Sequence, residues 1–188
     1  VATLARLVQA DPRTAVACSA VRNLAGTQEN PMTEPGLVAE LLWPVSMVVQ
    51  GLWRRSPRQS EPGRAVCRVD KVSGACFLIR SDFLARIGYF DEGVFLYCEE
   101  SILMAQVRAA GCHMVMDPRI EALHAHRSTA KGNPLRRFQA WMTSRAYFHD
   151  THGTHGLLAR RLLAASRRAT LGLVSTREAL RRLRSSAR

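Results

Sequence analysis

Two adjacent carboxylates, Glu99-Glu100, follow the aromatic turn Phe95-Leu96-Tyr97 and open a stretch in which Leu103, Val107 and Ala110 recur at helical spacing. Carboxylates in the first turn of a helix are stabilised as anions by about 0.3–1 kcal/mol. Neighbouring helical positions point in different directions, so one acid can face a site while the other braces the backbone. A carboxylate held this way suits proton abstraction. Alone, the pair reads equally as an ordinary acidic first turn.

A second group is His124-Ala125-His126-Arg127-Ser128-Thr129, at the end of a short extended run. Alternate residues of a strand share a face, so His124 and His126 can reach one ligand. Imidazole binds metals, and Arg127 with the hydroxyls of Ser128 and Thr129 suits phosphate. Surface histidines beside a basic tail are the plainer reading, since no spacing here demands a metal. A third feature is Ser73-Gly74-Ala75 inside an apolar run. Glycine in a strand interior marks a close backbone approach, by a ligand or by a tightly packed neighbour.

The surrounding pattern predicts the elements that must place these groups. Ala2–Val8 has helical spacing and ends at Asp11-Pro12; Thr14–Ala20 suits a buried strand; Asn23–Pro35 is a loop. Leu41–Val49 is an apolar core or interfacial segment, and 54–64 is a polar loop. Val72–Ile79 is apolar on both alternating faces, as in a central strand of a covered sheet. Ser81 can cap a short helix that Gly88 closes, and Gly111 sits at the C′ position of the helix from Glu99. His113–Met116 and Ile120–His124 read as two short strands separated by Pro118. Helices follow at Leu135–His149, Leu157–Arg168 and near Ser175–Arg184. Mixed elements followed by helices alone argue an α/β domain over 1–130 with a helical extension over 131–188.

Charge draws the same boundary. Of the basic and acidic residues, 14 and 13 lie before Lys131, and 13 and 2 lie from Lys131 onward. A near-neutral domain therefore carries a basic tail, whose partners by charge alone are anionic lipid, nucleic acid or acidic protein. The tail contains no nucleic-acid reading motif or aromatic platform, which disfavours nucleic acid. No run of about 18 apolar residues occurs. The five cysteines include no CxxC pair and an odd one out, so neither a zinc framework nor a disulfide framework is expected.

The order VSGACFLIRSDFLARIGYFDEGVFLYCEES…RAAGCHMVMDPRIEALHAHRST resembles family 2 glycosyltransferases, especially the bacterial rhamnosyltransferase-like group. The resemblance covers about Val1–Gly156 and is dense over Val69–Thr129. It implies the acceptor-side, C-terminal part of a GT-A fold and inverting transfer of a sugar from a nucleotide-sugar donor to a glycan or polyprenyl-linked acceptor. Glu99-Glu100 stands where the family has Glu-Asp, which makes Glu100 the implied base, one methylene longer than usual. His124 matches a histidine near the diphosphate and metal. Gly74, Ala75, Tyr97, His126, Arg127 and Ser128 fall at pocket positions, and Asp91 in a structural turn. The implied divalent metal, Mg or Mn, takes its main ligands from a nucleotide-binding half expected ahead of Val1, without which the chain should be inactive. The implied location is the cytoplasmic face of a bacterial membrane, held peripherally through the basic tail. The competing expectation is a non-catalytic protein whose tail binds nucleic acid or serves as a membrane-surface adaptor.

Overall fold

The computed structural model describes residues 1–50, 65–125 and 134–186. In chain order its elements are α1 (Ala2–Ala10), β1 (Thr14–Asn23), α2 (Leu37–Leu41), α3 (Trp43–Gln50), β2 (Cys67–Val69), β3 (Phe77–Ile79), α4 (Ser81–Arg86), α5 (Glu99–Ala109), β4 (His113–His124), α6 (Pro134–Thr151) and α7 (Leu157–Ser186). They gather into two compact units, one drawn from Val1–Glu34 and Gln59–Ala130, the other from Pro35–Arg58 and Lys131–Arg188. The segment from Pro35, assigned by its sequence to the first domain, therefore groups with the helices after Lys131.

The first unit is α/β. Its sheet has the order β2-β4-β1-β3, with β1 parallel to β4 and antiparallel to β3, and with β2 antiparallel to β4 at the far edge. The small and branched side chains of Thr14–Val21 are all buried, because β1 is flanked by strands and covered on its faces. Ala17 and Val115 meet Leu4 and Val8 of α1. By strand alternation Cys18, Met114 and Met116 turn to the opposite face, where Met104 and Val107 of α5 are also buried. Burial pushes the Cys18 thiol up to about 12, so it is an inert core group.

Three stretches differ from the sequence expectation. Only Phe77–Ile79 of Val72–Ile79 forms a strand, half-buried and at the sheet edge rather than its centre. The reason lies in the preceding N–H groups, which are taken by side chains instead of a ladder. Ser73 donates to Asn30 Oδ1 at 2.6 Å, Gly74 to Glu100 Oε1 at 3.1 Å, and Ala75 to Ser73 Oγ at 3.3 Å. The two runs around Pro118 form one strand, β4, with an irregularity where Ser19 pairs with Asp117 but Ala20 with Glu121. Proline cannot donate to the ladder, and a bulge is where a strand accepts it. The two predicted C-terminal helices are one continuous helix, α7, passing through Gly172. The helix from Glu99 ends as expected. Gly111 is left-handed (φ 68°), and the N–H groups of Gly111 and Cys112 return to the carbonyls of Arg108 and Val107.

In the second unit α7 packs on α2, α3 and α6. Its interior holds charge. Glu40, 2% exposed, accepts hydrogen bonds from Arg145 and from His149 Nε2 (2.7 Å), both on α6. Ser166 on α7 donates to the Glu40 carbonyl at 2.9 Å. Removing one member of such a cluster strands its partners, sealed from water, without their hydrogen bonds. Among the described residues, no helix is long and apolar enough to cross a membrane.

The bulge is closed by Asp117, 1% exposed, which accepts from Arg119 Nε and Nη2 at 2.9 Å each and from the Arg119 N–H at 3.0 Å. The guanidinium holds the Asp117 carboxyl below its ordinary value. A depressed carboxyl contributes stability that is complete above its unfolded value, about 3.9, and lost as pH falls through the folded one. Arg119→Ala should therefore lower stability at pH 7, and the gap from wild type should close on acidification. Denaturant unfolding at a series of pH values measures this, and a gap independent of pH would refute the ionic account.

Candidate active site

Two of the residues singled out by sequence meet directly. Glu100 lies in the first turn of α5, and its Oε1 accepts the Gly74 N–H at 3.1 Å. A side chain on Gly74 would place Cβ 3.2 Å from that oxygen, so the glycine permits the approach. Glu100 is half-buried and Glu99 exposed, which divides the pair as neighbouring helical positions should be divided. Among the described residues Glu100 shows a bond only at Oε1, and Oε2 keeps its lone pairs for an incoming proton.

The approach to α5 is unusual. Tyr97 and Cys98 are both left-handed, with φ of 70° and 69°, and α5 has no side-chain N-cap bond. Consecutive non-glycine residues in this region cost of order 1–3 kcal/mol each and persist only where surrounding contacts over-determine them. Asp91 accepts the Gly93 N–H at 2.7 Å and closes the preceding turn, the structural part expected of it. Around these turns Tyr89, Phe90, Phe95 and Leu96 are exposed, Phe95 almost completely at 98%.

His124 ends β4 opposite Asn23, and its Nδ1 stands 2.6 Å from Glu29 Oε2. With a proton on Nδ1 shared to Glu29, Nε2 carries the lone pair; with both nitrogens protonated, the ring is a cation suited to phosphate oxygens. Ala75 contributes its N–H to the local turn. His126, Arg127, Ser128 and Thr129 lie outside the described residues, as does the polar loop expected over 54–64. Among the described residues no three His, Cys, Asp or Glu side chains converge as a cation site. The described residues do not by themselves fit the divalent metal.

The sequence reading missed the segment that joins these pieces. Glu29 holds His124, and Asn30, fully buried, holds Ser73 beside Gly74 while its Nδ2 donates to the Ser19 carbonyl at 3.0 Å. Glu34 accepts from Lys71 Nζ and from Ser101 Oγ, at 2.7 Å each. One loop thus touches the strand end with His124, the turn with Gly74 and the helix with Glu100. Its signal in the sequence was three amide or carboxylate side chains in six residues, Glu29, Asn30 and Glu34, around Pro31. A cavity of about 470 Å³ elsewhere in this unit is lined by Met32, Cys67, Met104, Arg108 and His113 among others. It takes none of these candidate groups, and its Asp70 is paired with Arg108 at 2.9 Å.

No family model matches the chain. Over 90 residues the chain is 32% identical to the N-acetylglucosaminyl-diphospho-decaprenol L-rhamnosyltransferase of Mycobacterium tuberculosis, in each of two strains. The match takes in 45% of this chain and spans 29% of the relative's length.

Gly74→Ala tests the geometry at little cost to the fold, since among the described residues its Cβ would meet within 4 Å only the Glu100 side chain. The carboxylate should swing away, and the amide of residue 74 should lose its protection from hydrogen exchange. The thermal midpoint should stay close to wild type, as exposed substitutions usually cost within about 0.5 kcal/mol. A residue-74 amide that stays as protected from hydrogen exchange in Gly74→Ala as in the wild type would contradict the close approach.
This partial match supports a glycosyltransferase-like relationship and nothing finer.

Proposed function

We propose that this chain is the acceptor-side part of a GT-A-type inverting glycosyltransferase, with Glu100 as the base. The observation that carries the reading is the half-buried Glu100 carboxylate, oriented through Oε1 by the Gly74 N–H and open at Oε2. The match to a rhamnosyltransferase supports it. In the proposed reaction the acceptor hydroxyl gives its proton to Glu100 while its oxygen bonds the anomeric carbon. The bond from that carbon to the diphosphate breaks on the opposite face, and the nucleoside diphosphate leaves with the electron pair. His124, braced by Glu29, would offer the departing oxygens an Nε2–H together with positive charge when both ring nitrogens carry protons. The acceptor class is a glycan or a polyprenyl-linked sugar, the kind of acceptor named for the relative. The divalent metal that the resemblance implies would need ligands other than the described residues.

An anionic membrane surface is the proposed partner of the second unit. The start of α7 is inverted in polarity. Ser166, Arg167 and Thr170 are buried, whereas Leu157, Leu158 and Leu162 are 76%, 73% and 49% exposed beside the exposed Arg161 and Arg168. An apolar strip among arginines is what an interfacial helix presents to anionic lipid. On this reading the proposed enzyme sits peripherally on the cytoplasmic face, where a lipid-linked acceptor would be met.

Glu100→Gln in the intact protein should cut transfer by at least about 10²-fold with donor binding nearly unchanged. Near-normal turnover would remove Glu100 from the role and direct attention to Glu99. For the membrane partner, truncating α7 would destroy the unit's core, which includes Leu163. Replacing Leu157, Leu158 and Leu162 together by Ser is the cleaner change. The wild type should co-sediment with phosphatidylglycerol-rich vesicles at moderate salt, and the triple variant should lose that salt-resistant binding. Binding that instead vanishes steeply with salt, and is tighter to duplex DNA, would identify a nucleic-acid tail.

A further inference from the structure

The first turn of α5 has no cap of its own, follows two left-handed residues, and yet must hold the Glu100 carboxylate in register with Gly74. An external anchor is present one residue further on. Ser101, 3% exposed, donates its hydroxyl to Glu34 Oε2 at 2.7 Å. Lys71 Nζ donates to the same oxygen at 2.7 Å and stands 3.4 Å from Ser101 Oγ. The Lys71 and Glu34 side chains are 8% and 15% exposed, so the pair is shielded from the screening that weakens surface ion pairs.

The anchor closes a circuit. Lys71 begins the turn that contains Ser73 and Gly74, and its carbonyl accepts the Met32 N–H at 3.0 Å. Ser73 is bound to Asn30 and Gly74 to Glu100. Ser101 returns from the helix to Glu34 in the same loop. The backbone that carries Glu100 and the amide that orients its carboxylate are thus both referenced to residues 30–34.

We infer that Glu34, acting through Ser101 and Lys71, is the positioning residue that sets the Glu100 carboxylate against the Gly74 amide; this rests on the reading of Glu100 as the base. Glu34 does not touch the reacting atoms. Its carboxylate gathers a hydroxyl from the helix and an ammonium from the turn, so both move as one body. A neutral or shortened residue at 34 or 101 frees the helix start, and the left-handed residues before it can relax.

The mild variant is Ser101→Ala in the intact protein, with Ser101→Thr to restore the hydroxyl. Ser101→Ala should lower kcat on the order of 10²-fold, the size that a misplacement near 1 Å produces, with little change in donor KM or in thermal midpoint. Ser101→Thr should recover most of the rate. In a Glu100→Gln background Ser101→Ala should have no further effect, because residues that act as a unit are non-additive. The Gly74 amide resonance, read by NMR, should move in Ser101→Ala as it does in Glu100→Gln and stay near wild type in Ser101→Thr. Additive rate losses in the double variant, or an unmoved Gly74 amide in Ser101→Ala, would overturn the positioning role. Should Glu100→Gln itself turn over normally, the base assignment fails, and the amide readout still decides whether Glu34 and Ser101 set the geometry.

Discussion

The buried carboxamide of Asn30 is the constraint on which the candidate site depends. The chain between Lys71 and Cys76 leaves the sheet, and its N–H groups need acceptors that no neighbouring strand supplies. Left unpaired and shielded from water, the N–H of the half-buried Ser73 would cost about 1–3 kcal/mol, whereas Gly74 and Ala75 are exposed. Asn30 satisfies Ser73 with its carbonyl oxygen and ties itself to β1 through the Ser19 carbonyl with its amide nitrogen. The carboxylate of Glu100 satisfies the next N–H. The carboxylate proposed as the base thereby also completes the hydrogen bonding of a turn, which helps to fix its position.

The two units place their charges according to different needs. In the first, most ionic groups sit in loops, first turns and strand ends, and the Asp117–Arg119 pair occupies the bulge within β4. In the second, Glu40, Arg145, His149 and Arg167 are buried among the helices, and burial lowers the Arg167 pKa from its ordinary value. Such a cluster adds little net stability over an apolar core, but it penalises any packing that separates its members. The apolar residues displaced to the outside of α7 are the complement of that arrangement.

Much of this was legible from residue patterns that act locally. The period of Leu103, Val107 and Ala110 gave α5, Gly111 gave its end, and the branched run at Thr14 gave β1. The contact of Gly74 with a close neighbour was foreshadowed by a glycine inside an apolar run, though its partner was not. What the pattern hid was non-local. Val72–Ile79 has the composition of a central strand, but the contest between ladder and side-chain acceptors was decided by Asn30, some forty residues away. The Pro35–Arg58 segment joined the helical unit through Glu40, whose partners Arg145 and His149 lie about a hundred residues further on. Glu29 and Glu34 looked like ordinary loop acids because their partners, His124, Lys71 and Ser101, belong to three separate stretches.

The bulge in β4 changes how the strand beyond it must be counted. Asp117 and Glu121 are four apart and would share a face in an unbroken strand, yet they pair with adjacent residues of β1, Ser19 and Ala20. The parity of the strand is inverted at Pro118. From there the odd-numbered residues Arg119, Glu121 and Leu123 are exposed, and the even-numbered Ile120, Ala122 and His124 are half-buried. The side on which His124 meets Glu29 is thus set by the number of residues stored in the bulge, modulo two. Loss or gain of a single residue there would leave every side chain of the strand's end intact in identity and turn each to the wrong face. Two such changes together would restore it.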